Sequence, residues 1–193
     1  MFDTDQEIFK NFDVSDGLQD SEFQELASLK RKDGELVFGG INGFNAFYPR
    51  EINDNKTAPE TVVTKLSIFN EEIAVGEEIN GRVLLEENIS EVKDITLDYS
   101  ENSFSFEFSS LHFSAPKKNQ YAYKLEGFDN DWVYASSDKR FATYTNIEPG
   151  NYTLKVKSSN NDGLWDNTPY TLQLTVRPPI YRTTVAYIIY GLL

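Results

Sequence analysis

The chain has no cysteine and a single histidine, His112. The first absence removes disulfides, thiolate zinc sites and thiol catalysis. The second removes any mechanism that needs two imidazoles. Basic side chains are scarce, 18 Lys and Arg against 31 Asp and Glu, for a net charge of −13. A chain of that sign repels phosphate backbones, which makes nucleic acid a poor partner. The deficit is uneven: residues 1–100 hold 22 acidic and 9 basic side chains, residues 101–193 hold 9 of each. No basic n-region or apolar run opens the chain, so the N-terminus does not read as a signal peptide. Helical periodicity is absent outside the C-terminal run.

Aromatics are abundant, with 14 Phe, 11 Tyr and 2 Trp against one Met. That balance favours strands, and 39 % hydrophobic content suffices for a core. From residue 61 onward, apolar and polar residues alternate with period two. Phe104, Phe106 and Phe108 share one face of a run. So do Tyr121, Tyr123 and Leu125, then Tyr152, Leu154 and Val156, then Tyr170, Leu172, Leu174 and Val176. Weaker runs cover 62–69, 95–99 and 141–147, about seven strands in all. Turn clusters at 100–102, 129–131, 148–151 and 160–163 separate them. This pattern predicts an all-β fold, an immunoglobulin-like antiparallel β-sandwich over 60–178. Pro149-Gly150 turns the chain into a strand that Tyr152 opens. Such a Tyr either forms a tyrosine corner or is a plain core residue.

Residues 1–52 read differently, as short strands with Gly-rich turns. Asn42-Gly43 between two apolar runs is a hairpin signal. Three or four strands in so short a stretch amount to a partial β-propeller blade, which cannot bury its face alone. Leu36, Phe38, Phe44 and Phe47 are therefore expected to pack on the sandwich or on a second copy. Residues 53–59 read as a polar linker. Residues 183–193 are uncharged and follow Pro178-Pro179. This tail reads either as the start of a membrane span, over 179–193, or as a last strand or amphipathic tail, since a span needs about 20 apolar residues.

Both halves carry ordered motifs. Asp16-Gly17-Leu18, then residues 33–49 with Gly39-Gly40 and Asn42-Gly43, resemble the last repeat of a two-component-regulator propeller. Residues 121–132 (with Gly127 and Trp132), 144–152 (with Pro149 and Gly150) and 160–165 (with Gly163 and Trp165) resemble the three-Y, or Y_Y_Y, domain that follows such propellers. On that resemblance the name-giving tyrosines are Tyr123, Tyr144 and Tyr152. It implies the extracytoplasmic sensor region of a Bacteroidetes hybrid two-component system. There, a propeller-plus-sandwich sensor leads into a transmembrane helix and a histidine kinase, acts as a homodimer, and often senses polysaccharide breakdown products. The chain would then be a non-catalytic periplasmic relay between upstream propellers and the membrane helix.

The remaining residues offer little chemistry. The carboxylate pairs Glu71/Glu72, Glu77/Glu78, Glu86/Glu87 and Asp94/Asp98 sit in charge-rich stretches and read as solvated surface rather than a glycosidase dyad. His112 lacks an accompanying Ser or Asp motif and reads as a strand-end structural residue. The glycines at 39–43 lack phosphate-loop spacing, and a strand follows them. Asp129–Asp131 and Asn160–Gly163 read as turns or as oxygen ligands for Ca²⁺, though neither matches an EF-hand loop. Lys117-Lys118 and Lys139-Arg140 are too few for a nucleic-acid stripe. No cofactor or metal is expected. Trp132, Tyr134 and Trp165 either plug the core or form a platform for an oligosaccharide, and solvent exposure separates the two.

Overall fold

A computed structural model describes residues 2–3, 8–182, 188 and 191–192. Its strands are β1 (Phe2–Asp3), β2 (Ile8–Phe9), β3 (Phe23–Lys30), β4 (Leu36–Gly40), β5 (Gly43–Phe47), β6 (Thr61–Ile68), β7 (Glu71–Glu72), β8 (Glu78–Ile79), β9 (Arg82–Val83), β10 (Asp94–Leu97), β11 (Phe104–Ser110), β12 (Gln120–Glu126), β13 (Val133–Ser136), β14 (Phe141–Tyr144), β15 (Gly150–Ser158) and β16 (Tyr170–Val176). The fold is all-β. One sheet runs β10-β16-β15-β12-β13 and a second β14-β11-β6-β7, and their apolar faces enclose the core. All seven period-two runs are strands.

The alternation in β11 shows why. Phe104, Phe106 and Phe108 are at most 2 % exposed, while Ser105 and Glu107 between them face outward. Opposite them lie Leu125, Leu154, Val156, Leu172 and Leu174, all buried. Burying each such side chain contributes about 1.5–3 kcal/mol, enough to fix which way every strand faces.

Three features depart from the sequence reading. The sandwich is not wholly antiparallel, because β10 pairs parallel with β16, Ile95 opposite Leu174. Strand β13 was not foreseen; it lies at a sheet edge with Val133 and Tyr134 exposed, so no alternation marks it. The stretch 70–92 is more than solvated carboxylates. Its glutamates do face water, but Ile73, Leu85 and Ile89 insert into the core.

Residues 23–47 form a separate three-stranded sheet, β3-β4-β5. The β4–β5 turn comprises Ile41 and Asn42, and Gly43 opens the return strand with φ 126°. The hairpin is as expected, with its turn one residue earlier than Asn42-Gly43. Phe38 stacks on Phe47 at 5.9 Å and meets Phe23 edge-on at 6.3 Å. Leu36, Phe38 and Phe47 are half-buried and line a groove of about 1120 Å³ that also touches Phe113 of the sandwich. Phe44 does not join them and stays 69 % exposed. No helix among the described residues is long and apolar enough to cross a membrane. Beyond the short turn Ile180–Arg182, most of the expected span over 179–193 lies outside the described residues.

Candidate functional site

The strand registers give the sandwich two distinct ends. Thr61 pairs with Ser110, and Tyr121 with Ser158, at the end where the linker enters. Phe104 pairs with Ile68 and Tyr144, and Gly150 with Val176, at the end where the chain leaves. Polar networks hold both ends.

At the entry end, Asn160 is fully buried. Its Nδ2 donates to the carbonyls of Asn55 (2.6 Å) and Thr57 (3.0 Å), and its Oδ1 accepts from the amides of Asp162 (3.0 Å) and Leu164 (2.9 Å). Asp162 takes the Asn55 amide at 2.7 Å and pairs with Lys10 at 2.6 Å. Burial works to raise the Asp162 pKa, but the Asn55 amide and Lys10 outweigh it and leave the carboxyl below its ordinary range. Asn55 Nδ2 lies 2.7 Å from His112 Nε2, and His112 Nδ1 lies 3.2 Å from Asn119 Oδ1. A neutral ring protonated at Nδ1 satisfies both contacts, so His112 is a buried structural residue. Lys118 adds ion pairs to Asp16 and, at 3.3 Å, Asp13. The turn 160–163 is therefore a clasp on the linker. Asn160 and Asn55 lie 105 residues apart, so no local signal announces it.

At the exit end, Arg177 donates its amide to Leu97 (2.8 Å) and its guanidinium lies 3.5 Å from Asp98. Asp98 also faces Arg82 Nε at 3.3 Å, an ion pair without hydrogen-bond alignment. Arg82 binds Glu101, a carboxylate only 2 % exposed, which further accepts from Asn80 (3.1 Å) and the Asp98 amide (2.8 Å). A carboxylate that deep needs such a partner set. Sequence reasoning missed this network entirely; its members come from the 70–92 excursion and the strand ends.

The three tyrosines lie toward the same end. The Tyr144 hydroxyl donates to Asp129 at 2.7 Å, and that oxygen also accepts the Leu125 amide at 2.7 Å. Burial first, then the bond to Asp129, push the Tyr144 pKa far up. Tyr123 meets Tyr144 edge-on at 6.4 Å and Phe108 at 5.7 Å; burial, then the Asp129 charge, raise its pKa as well. The Tyr152 hydroxyl donates to the Glu148 carbonyl at 2.9 Å, a tyrosine-corner bond across Pro149-Gly150. Gly127, at φ 94°, and Gly150 make room for that ring: a Cβ on either would lie 3.0 or 3.2 Å from Tyr152 atoms. Gly163 takes φ 82° in open space. Asp129 is thus committed to its own turn. Among the described residues no cluster of His, Cys, Asp and Glu could hold a metal.

Trp132, Tyr134 and Trp165 do come together. Lys157 Nζ sits 4.4 Å from the Trp132 ring centre and 5.4 Å from that of Trp165, and Tyr134 meets Trp165 edge-on at 5.8 Å. The indoles are half-buried and Tyr134 is 67 % exposed. The rings neither plug the core nor lie coplanar in water.

The sandwich is thus fastened by polar networks at both ends, with the Tyr144 and Tyr152 hydroxyls tied to Asp129 and to the Glu148 carbonyl. Residues 112–177 match the family model of the Y_Y_Y domain. The chain is 34 % identical over 94 % of its length to Histidine kinase P4 of Formosa agariphila, of which it spans 13 %. Its fold is similar to the extracellular domain of BT3049 from B. thetaiotaomicron, described as a hybrid two-component system (TM-score 0.71, 28 % identity, 91 % of this chain and 23 % of that one). It is also similar to the extracellular domain of BT4673 from the same organism (TM-score 0.55, 29 % identity, 83 % and 21 %). The chain thus resembles the extracellular domains of these two proteins, and it spans less than a quarter of the length of each of the three relatives.

Proposed function

We propose that the chain is a periplasmic signal-relay module, linking upstream propellers to a transmembrane helix and a histidine kinase. Residues 1–52 are read as the last propeller blade, 53–59 as the linker, 60–178 as the Y_Y_Y sandwich and 179–193 as the start of the membrane helix. The observation that carries the reading is the in-line path. The linker is clasped by Asn160 at one end, and the chain leaves through Arg177 at the other. A displacement of the propellers then moves the sandwich as a body, and in a homodimer the ligand biases one of two arrangements of the pair. Replacing Pro178 and Pro179 by a Gly-Ser spacer in the whole receptor tests this. Ligand response should vanish with ligand binding intact; an unchanged response refutes the relay.

A second reading, a sandwich that itself holds oligosaccharide, is favoured by the grouping of Trp132, Tyr134 and Trp165 beside the exposed edge strand β13. Saturable quenching of tryptophan fluorescence by an oligosaccharide panel, confirmed by calorimetry, would establish it. Silence from the folded chain would send the ligand to the propellers.

A further inference from the structure

One member of each basic pair, Lys117 and Arg140, lines a common pocket. The Ser137 hydroxyl donates to the Lys117 carbonyl at 2.7 Å, tying the loop after β11 to the turn before β14. This pocket, of about 350 Å³, is lined also by Ser110, Asn119, Tyr121 and Ser137. Its chemistry is one-sided. Ser110 is 4 % exposed, and its Oγ is buried without a hydrogen-bond partner among the described residues. Tyr121 is 2 % exposed, and its hydroxyl accepts the Ser110 amide at 3.2 Å, leaving its own proton to give. Arg140 donates weakly to Ser109 at 3.5 Å and has Glu107 only at 3.8 Å, so its charge is incompletely matched. The His112 ring, also at this pocket, has both nitrogens engaged by Asn55 and Asn119.

Buried hydroxyls in native proteins find partners, and an orphan on a residue that lines a pocket points to what the pocket takes. Two hydroxyl donors, with Arg140 and Lys117 in the same lining, suit an acceptor-rich anion and nothing cationic. We infer that this pocket is a binding site for a small oxyanion group, a carboxylate or sulfate, on the sandwich itself. The site stands independently of the relay reading. On a chain of net charge −13, long-range repulsion opposes any anion, so occupancy comes from the local donors and not from general attraction.

The test titrates the 193-residue chain with sodium sulfate and sodium acetate at constant ionic strength, following backbone amide NMR shifts. Saturable shifts centred on Ser110, Tyr121 and Ser137 are expected. Ser110→Ala and Arg140→Gln should each weaken sulfate binding about tenfold or more. Ser110→Ala without sulfate should melt no lower than the wild type, since it removes an unpartnered hydroxyl. Glucuronate binding more tightly than acetate would identify a group carried on a sugar; equal binding would identify the free ion. Shifts that never saturate, or that both variants leave unchanged, overturn the proposal.

Discussion

Removing the Asn160 side chain probes how firmly the linker is held. Asn160→Ala deletes four hydrogen bonds at a fully buried position. Each buried group left without its partner costs about 1–3 kcal/mol. The Asn55 and Thr57 carbonyls lie on the linker and can regain water, whereas the Asp162 and Leu164 amides belong to the turn the side chain nucleates. Counting the two amides near the middle of that range, at about 1.5–2.5 kcal/mol each, and the rehydrated carbonyls at nothing gives a loss of about 3–5 kcal/mol. For a chain of this size that is a fall in Tm of about 6–20 °C. Urea unfolding of the intact chain reads the loss directly, with exposed Asn167→Ala as the control, expected within about 0.5 kcal/mol of wild type. Limited proteolysis adds a local readout, because cleavage within 53–57 should accelerate well before the sandwich unfolds. If Asn160→Ala costs under about 1 kcal/mol and linker cleavage is unchanged, the clasp is decorative and the reasoning fails.

Gly127→Ala should cost about 1–3 kcal/mol by urea unfolding, because positive φ and contact with Tyr152 act together, whereas Gly163→Ala bears only backbone strain and should cost less. Tyr152→Leu should shrink the Gly127→Ala penalty in a double-mutant cycle. Arg82→Ala strands the buried Glu101 charge, and a loss of about 3–5 kcal/mol is expected; Arg82→Ala/Glu101→Leu should recover much of it in the same assay. The alkaline limb of stability follows from tyrosines whose folded pKa is raised: burial and the Glu91 charge bring Tyr170 to about 12, and Tyr144 is raised further. Their contribution is intact below the ordinary tyrosine range and is lost as pH climbs from about 10 through 12. Urea midpoints measured at pH 8, 10, 11 and 12 should fall only across the last intervals, and Tyr170→Phe should flatten part of that fall.

The sandwich strands were legible because one face of each meets the core, and burial writes itself into every second residue, as in Phe104, Phe106 and Phe108. Strand β13 was not, because an edge strand with Val133 and Tyr134 exposed has no buried face to mark. The parallel β10–β16 pair was hidden because local pattern carries no information on which distant strand becomes a neighbour. The motif glycines could be spotted, but not why they are glycines: Gly127 and Gly150 are small because Tyr152 lies against both. Asn160 looked like a turn residue and is one; its grip on the linker depends on a partner 105 positions away.

The parallel pairing sets how the domain bears load. Strand β16 lies between β15 and β10, with Leu174 flanked by Tyr152 on one side and Ile95 on the other. Tension drawn along the chain beyond Val176 runs down the axis of β16, not across it. The ladder bonds on both sides are then strained in shear and must fail together, where a strand peeled from an edge would lose them one at a time. Arg177, anchored to Leu97 and Asp98, sits where that pull first arrives. A pull along β16 is therefore shared across the sandwich before any one bond gives way.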